Sequence, residues 1–111
     1  MEDKDKDKDK DKIDRLMRSF QKKNYKATAD MANSILANGR SSIVVQNILA
    51  LSLKNLGKRK EAIDLFQSII KKHPREGYIY ANLANIFLSE GRINIALKNF
   101  ELAIKYNPKL E

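Results

Sequence analysis

The chain has 111 residues, enough for one domain, and its 42% apolar and 7% aromatic content can furnish a core without a single Trp. No stretch approaches the roughly 18 consecutive apolar residues of a membrane span. Residues 2–12 are charged throughout and leave no room for the apolar region of a signal peptide. The absence of cysteine excludes disulfide frameworks, thiol nucleophiles and cysteine-ligated zinc and says nothing about redox compartment; a cytoplasmic location is the default expectation.

The net charge is +8, from 22 Lys and Arg against 14 Asp and Glu. Residues 1–12 hold six of the acids and five lysines, so the basic surplus lies wholly in the rest of the chain. Such a domain attracts anions at long range. The richness in Lys together with Asn and Ile also fits AT-rich coding, so the surplus alone names no ligand.

Residues 3–12 are a strict Asp-Lys alternation with nothing apolar to bury. The expectation for residues 1–12 is a charged tail, disordered or extending the first helix. From Ile13 a helical period begins: Ile13, Leu16, Met17 and Phe20 are spaced i, i+3, i+4, i+7 on one face. Lys22, Lys23 and Asn24 break it. A second stripe (Tyr25, Thr28, Ala32, Ile35, Leu36) ends at Asn38-Gly39, a helix stop. Four more helices follow, over residues 43–56, 60–72, 77–90 and 93–106. They are stopped by Gly57, His73-Pro74, Gly91 and Asn107-Pro108 respectively. Nothing alternates with period two, so the fold class is all-α with about six helices.

The stops recur. Gly57 and Gly91 stand 34 residues apart, as do Leu49 and Leu83, Ala50 and Ala84, Ala62 and Ala96, Phe66 and Phe100, and Pro74 and Pro108. Self-similarity at this period marks a stacked helical repeat. Residues 75–108 carry Tyr80, Leu83, Ala84 and Phe87, then Gly91, Ala96, Phe100, Ala103 and Pro108, and resemble the tetratricopeptide repeat over the full unit. Residues 41–74 resemble it through Leu49, Ala50, Gly57, Ala62, Phe66 and Pro74, but have Gln46 where the family prefers an aromatic and Ile69 where it prefers a small residue. Residues 13–40 resemble a degenerate unit. Lys23 stands at the turn glycine and Arg40 in place of the closing proline, which suits a terminal repeat.

The resemblance implies a right-handed superhelical array of antiparallel helix-turn-helix units. It implies small residues (Ala50, Ala62, Ala84, Ala96) where helices cross closely, and Phe66 and Phe100 filling the space between units. It implies a left-handed backbone at Gly57 and Gly91.

Function, on this resemblance, is that of a protein-interaction scaffold whose first helices line a concave groove for a peptide or partner helix. The outward positions would be Val44, Asn47, Leu51, Lys54 and Asn55, then Tyr78, Ala81, Asn82, Asn85, Leu88 and Ser89. The partner-binding residues selected are Asn47, Leu51, Lys54, Tyr78, Asn82, Asn85 and Leu88. Amides suit backbone recognition because they donate and accept together, and Asn85 stands where the family often places a peptide-binding Asn. The clamp of basic residues that grips chaperone tails is missing, since Ala81 and Asn82 occupy its places. Val44, Leu51, Tyr78 and Leu88 instead make the groove partly apolar.

No enzyme is expected: there is no catalytic motif, and the sole histidine, His73, precedes Pro74 in a turn. Asp14, Asp30, Asp64, Glu76 and Glu90 are scattered, so no metal, cofactor or catalytic site is assigned. RNA or another polyanion is the alternative partner, through Lys58-Arg59-Lys60, Lys71-Lys72 with Arg75, and Arg18, Lys22, Lys23 and Lys26. Most of these lie at turns and on second helices rather than along the groove, so a protein partner ranks first. A further alternative is an accessory module ahead of a glycosyltransferase, sulfotransferase or methyltransferase domain. Residues 109–111 read as a remnant resembling a tagging scar, and the outer face of 93–106 as uncapped. Such a face would stack on more of a longer protein or pair in a homodimer.

Overall fold

A computed structural model of the chain describes residues 2–40 and 42–107, with side chains from Lys10 onward. Six helices follow in order: α1 (Glu2–Gln21), α2 (Tyr25–Ala37), α3 (Ile43–Asn55), α4 (Arg59–Lys72), α5 (Gly77–Ser89) and α6 (Ile93–Tyr106). No strand occurs among the described residues. The readings of Pro108 as a unit stop and of residues 109–111 as a remnant lie outside them. Helix α1 starts at Glu2, well before the apolar pattern at Ile13, so the charged segment is part of the first helix. Its alternation puts opposite charges three residues apart, a spacing that favours a helix.

The helices form two compact units, Met1–Gly57 with α1 to α3 and Lys58–Glu111 with α4 to α6. In the first, α2 packs on both α1 and α3. Its core draws Leu16 from α1, Ala29, Ala32 and Ile35 from α2, and Ile48 and Leu49 from α3. In the second, α5 packs on both α4 and α6 and is the most buried helix, contributing Ile79, Tyr80, Leu83, Ala84, Ile86 and Phe87. Ala84 and Ala96 are almost fully buried, as small residues must be where α5 and α6 cross closely. Phe66 on α4 is fully buried, whereas Phe100 on α6 is only half-buried.

The turns show the repeat at atomic level. Gly57 and Gly91 have φ of 83° and 77°, the left-handed region that glycine enters at least cost. Lys23, two periods before Gly91, adopts φ 63° and is the sole non-glycine residue there among those described. Around it the hydrogen bonds copy the later turn. Lys23 N–H donates to Phe20 O at 2.9 Å and Asn24 N–H to Ser19 O at 3.0 Å. Gly91 N–H donates to Leu88 O at 3.0 Å and Arg92 N–H to Phe87 O at 2.9 Å. These are paired Schellman-type closures of the helix end. The next helix starts alike in all three places, with Thr28, Ala62 and Ala96 N–H donating to Asn24, Lys58 and Arg92 O at 2.9, 3.1 and 3.1 Å. The first unit has thus kept the turn while losing its glycine.

It has also changed what fills the crossing. Thr28 stands in the register of Ala62 and Ala96 and is fully buried. Its Oγ1 lies 2.7 Å from Asn24 O and 2.8 Å from the buried Ser19 Oγ. A hydroxyl has one proton, so when Thr28 donates to the carbonyl, Ser19 supplies the proton of the shared bond.

Gly77 opens α5 with no unusual φ, yet no other residue fits. A β-carbon there would lie 2.7 Å from Ala103 O and 2.7 Å from Asn107 Cβ, because the start of α5 runs against the end of α6. Nearby, the Tyr80 hydroxyl donates to Pro74 O at 2.7 Å, and its ring stacks on Tyr106 with centroids 5.7 Å apart. Together Gly77 and Tyr80 tie the turn before α5 to the far end of α6.

Candidate partner-binding faces

The selected residues lie on two helices, each in its own unit. On α3, Asn47, Leu51 and Lys54 are spaced i, i+4, i+7, which puts them on one face, and all three are half-buried. Val44 is 46% exposed one turn earlier. Asn55 turns its amide back onto its own helix, donating to Leu51 O at 2.8 Å, which leaves it less to offer a partner.

On α5, Tyr78, Asn82, Asn85 and Leu88 form a row near the i, i+4, i+7, i+10 spacing of one face. Tyr78, Ala81 and Asn82 are half-buried; Asn85 is exposed and Leu88 is 50% exposed. Burial, and then the neighbouring Glu76 carboxylate, raise the Tyr78 hydroxyl above its ordinary value, so it stays a neutral donor. Ser89 Oγ is spent on Ile86 O at 2.7 Å. Asn47 and Asn82 already have interactions within the chain. Asn85 has no hydrogen-bond partner among the described residues, which leaves both its donor and its acceptor for a ligand.

The other candidates separate from these faces. His73 caps the end of α4: its N–H donates to Ile69 O at 2.8 Å, and its φ of −133° and ψ of 72° lie outside the helical region, which a following proline disfavours. Among the described residues no group of three His, Asp or Glu side chains could hold a metal ion. No described helix is long and apolar enough to cross a membrane. The outer side of α6 exposes Ile93, Leu97 and Ile104, the apolar face anticipated for 93–106.

Sequence reading passed over two residues of the second unit. Gly77 carried no period partner, since Ile43 stands one repeat earlier, and its need is set by a contact with α6. Arg92 lies over the Phe87 ring at 4.7 Å and 3.9 Å from Glu90, bracing the turn before α6.

Comparison with known proteins agrees with this architecture. Family models described as tetratricopeptide repeat match residues 48–75 and 77–110, together more than half of the chain. Both models describe the repeat itself, and neither describes a catalytic domain. A curated relative, ER membrane protein complex subunit 2 of Dictyostelium discoideum, is 33% identical over 60 residues, covering 54% of this chain and 19% of its own. The solved chain MamA MSR-1 C2 superposes with a TM-score of 0.75 at 23% identity, over 86% of this chain and 55% of that one. MamA AMB-1 C2221 does so with a TM-score of 0.73 at 25% identity, over 83% and 54%. The chain therefore spans about half the length of these solved relatives and a fifth of the curated one, and the likeness is one of fold. With the turn geometry recurring at Lys23, Gly57 and Gly91 and family models matching the two later units, the chain belongs to the tetratricopeptide repeat family.

Proposed function

We propose that the chain is a protein-interaction scaffold that takes segments of a partner protein on its first-helix faces, each face within its own unit. Tyr78, Asn82, Asn85 and Leu88 of α5 and Asn47, Leu51 and Lys54 of α3 make the contacts. The observation that carries this reading is the pairing of Leu88 with Asn85. Helix α5 buries most of its circumference, yet it leaves a large apolar side chain half in water beside an amide that has no partner among the described residues. An apolar anchor next to a free donor and acceptor is the combination that recognises a peptide, by side-chain burial and backbone hydrogen bonding together.

A peptide library displayed against the full chain tests it. Selected peptides bind the parent and lose affinity for the Leu88→Asp and Asn85→Ala variants by about tenfold or more, the scale of one lost interface anchor. Undiminished binding to both variants overturns the reading. A salt titration with single-stranded oligonucleotides separates the polyanion alternative, which requires a complex that falls away steeply as salt rises.

A further inference from the structure

A second surface lies wholly within the first unit, on helices other than those just described. Helices α1 and α2 line a shallow trough with a hollow of about 390 Å³, and adjoining hollows that share Arg15, Met31, Asn24 and Asp30 continue it toward the α1–α2 turn. One wall is basic: Lys12, Arg15, Arg18 and Lys22 follow one another at helical spacing along α1. The other wall is α2, where Ala27, Met31 and Ile35 form an apolar floor and Met31 is 39% exposed. Lys26 adds a fifth cation, and among the described residues Asp30 is the one carboxylate lining the trough. Arg18 Nε donates to Asp14 O, a backbone carbonyl, and among the described residues none of these cations is paired with a carboxylate.

We propose that this trough docks an acidic amphipathic helix of a partner protein. The shape favours a helix, since the groove between two packed helices accepts a third through its ridges. The length fits, because α2 with 13 residues gives a trough of about 20 Å. The apolar floor requires a hydrophobic stripe on the ligand, and a flexible Met lets that stripe vary. The basic wall requires flanking carboxylates, which steer approach and fix orientation while the stripe supplies affinity. A second copy of this chain does not meet the requirement. Of its six helices, α1, α2 and α5 are neutral and α3, α4 and α6 are basic by residue count, so none offers net negative charge.

Fluorescence anisotropy on the full chain tests the proposal with three labelled helical peptides of one length. The first carries a Leu stripe flanked by Glu, the second the same residues in shuffled order, and the third Lys in place of Glu. The first is expected to bind at least about tenfold more tightly than the others. Arg15→Glu with Lys22→Glu, and separately Met31→Asp, each weaken it by about tenfold or more, while Leu88→Asp on α5 leaves it unchanged. Arg15→Gln with Lys22→Gln serves if the charge reversal unfolds the chain, as read by circular dichroism. Equal binding of the shuffled peptide, a preference for the Lys peptide, or indifference to the trough variants overturns the proposal. So does displacement of the first peptide by oligouridylate or anionic vesicles at equal charge, since the surface would then read charge alone.

Discussion

Lys23 occupies, at φ 63°, the turn position that Gly91 occupies at φ 77°, and the flanking backbone hydrogen bonds are the same in both turns. A side chain in the left-handed region costs about 1 kcal/mol or more, whereas glycine enters it freely. Lys23→Gly is therefore expected to stabilise the chain by about 0.5–1 kcal/mol, net of the greater freedom glycine has when unfolded. Gly91→Ala moves the opposite way by a similar amount. Chemical denaturation of the three proteins measures both shifts, and a destabilising Lys23→Gly would mean that the Lys side chain has a role of its own.

Gly77 makes the contrary case. Helix propensity alone favours Ala over Gly by about 1 kcal/mol. The contacts at 2.7 Å with Ala103 O and Asn107 Cβ reverse the sign, because one of them is backbone and cannot rotate away. Gly77→Ala is expected to destabilise by about 1–3 kcal/mol. Adding Asn107→Gly restores only part of this, since it relieves the side-chain clash and leaves the carbonyl. Thermal melts of the single and double variants check the ranking.

The Ser19–Thr28 pair tests the altered crossing of the first unit. Thr28→Ala removes the hydroxyl that serves both Asn24 O and Ser19 Oγ, and leaves Ser19 with only its 3.4 Å approach to Asn24 O. A buried donor left without a good partner costs about 1–3 kcal/mol. The double variant Ser19→Ala, Thr28→Ala removes both hydroxyls, so the two losses should sum to less than their separate values. A double-mutant cycle by urea denaturation reads that coupling directly.

Tyr80 predicts an alkaline limb. Burial, and secondarily Tyr106, raise its hydroxyl above the ordinary value of 10.0. The folded state thus resists deprotonation more than the unfolded chain does. This contribution is fully present below the unfolded value and is lost as pH rises through the folded one, so stability declines above about pH 10. Tyr80→Phe gives up the bond to Pro74 O, about 0.5–1.5 kcal/mol at neutral pH, and flattens the decline. Helical content followed by circular dichroism against pH in moderate urea compares the two.

Much of this architecture could be read without coordinates, and the reason is local. Helix starts and stops depend on nearby residues, so Asn38-Gly39, Gly57, His73-Pro74 and Gly91 placed the ends of α2 to α5 within about two residues. The start of α1 stayed open between a tail and a helix extension because an Asp-Lys alternation has no apolar period, and a helix there draws on charge spacing instead. Gly77 was missed for a different reason, since its constraint comes from α6 and has no local signature. The candidate faces were legible as positions but not as states. That Asn55 and Ser89 would bond their own helices, and that Asn85 would remain unengaged, depends on rotamers that sequence does not carry.

If the first-helix faces take the partner, Leu88 is the side chain whose loss tells most. Leu88 is half exposed, so Leu88→Asp should change stability by no more than about 0.5 kcal/mol while abolishing partner binding. The most direct measurement is amide chemical-shift mapping by NMR of the isotope-labelled chain as a selected peptide is titrated in. Perturbations are expected at residues 78–88 of α5 and 47–54 of α3, with those of α5 absent in the Leu88→Asp variant. Perturbations confined to α4 and α6, with α3 and α5 silent, would contradict this reading.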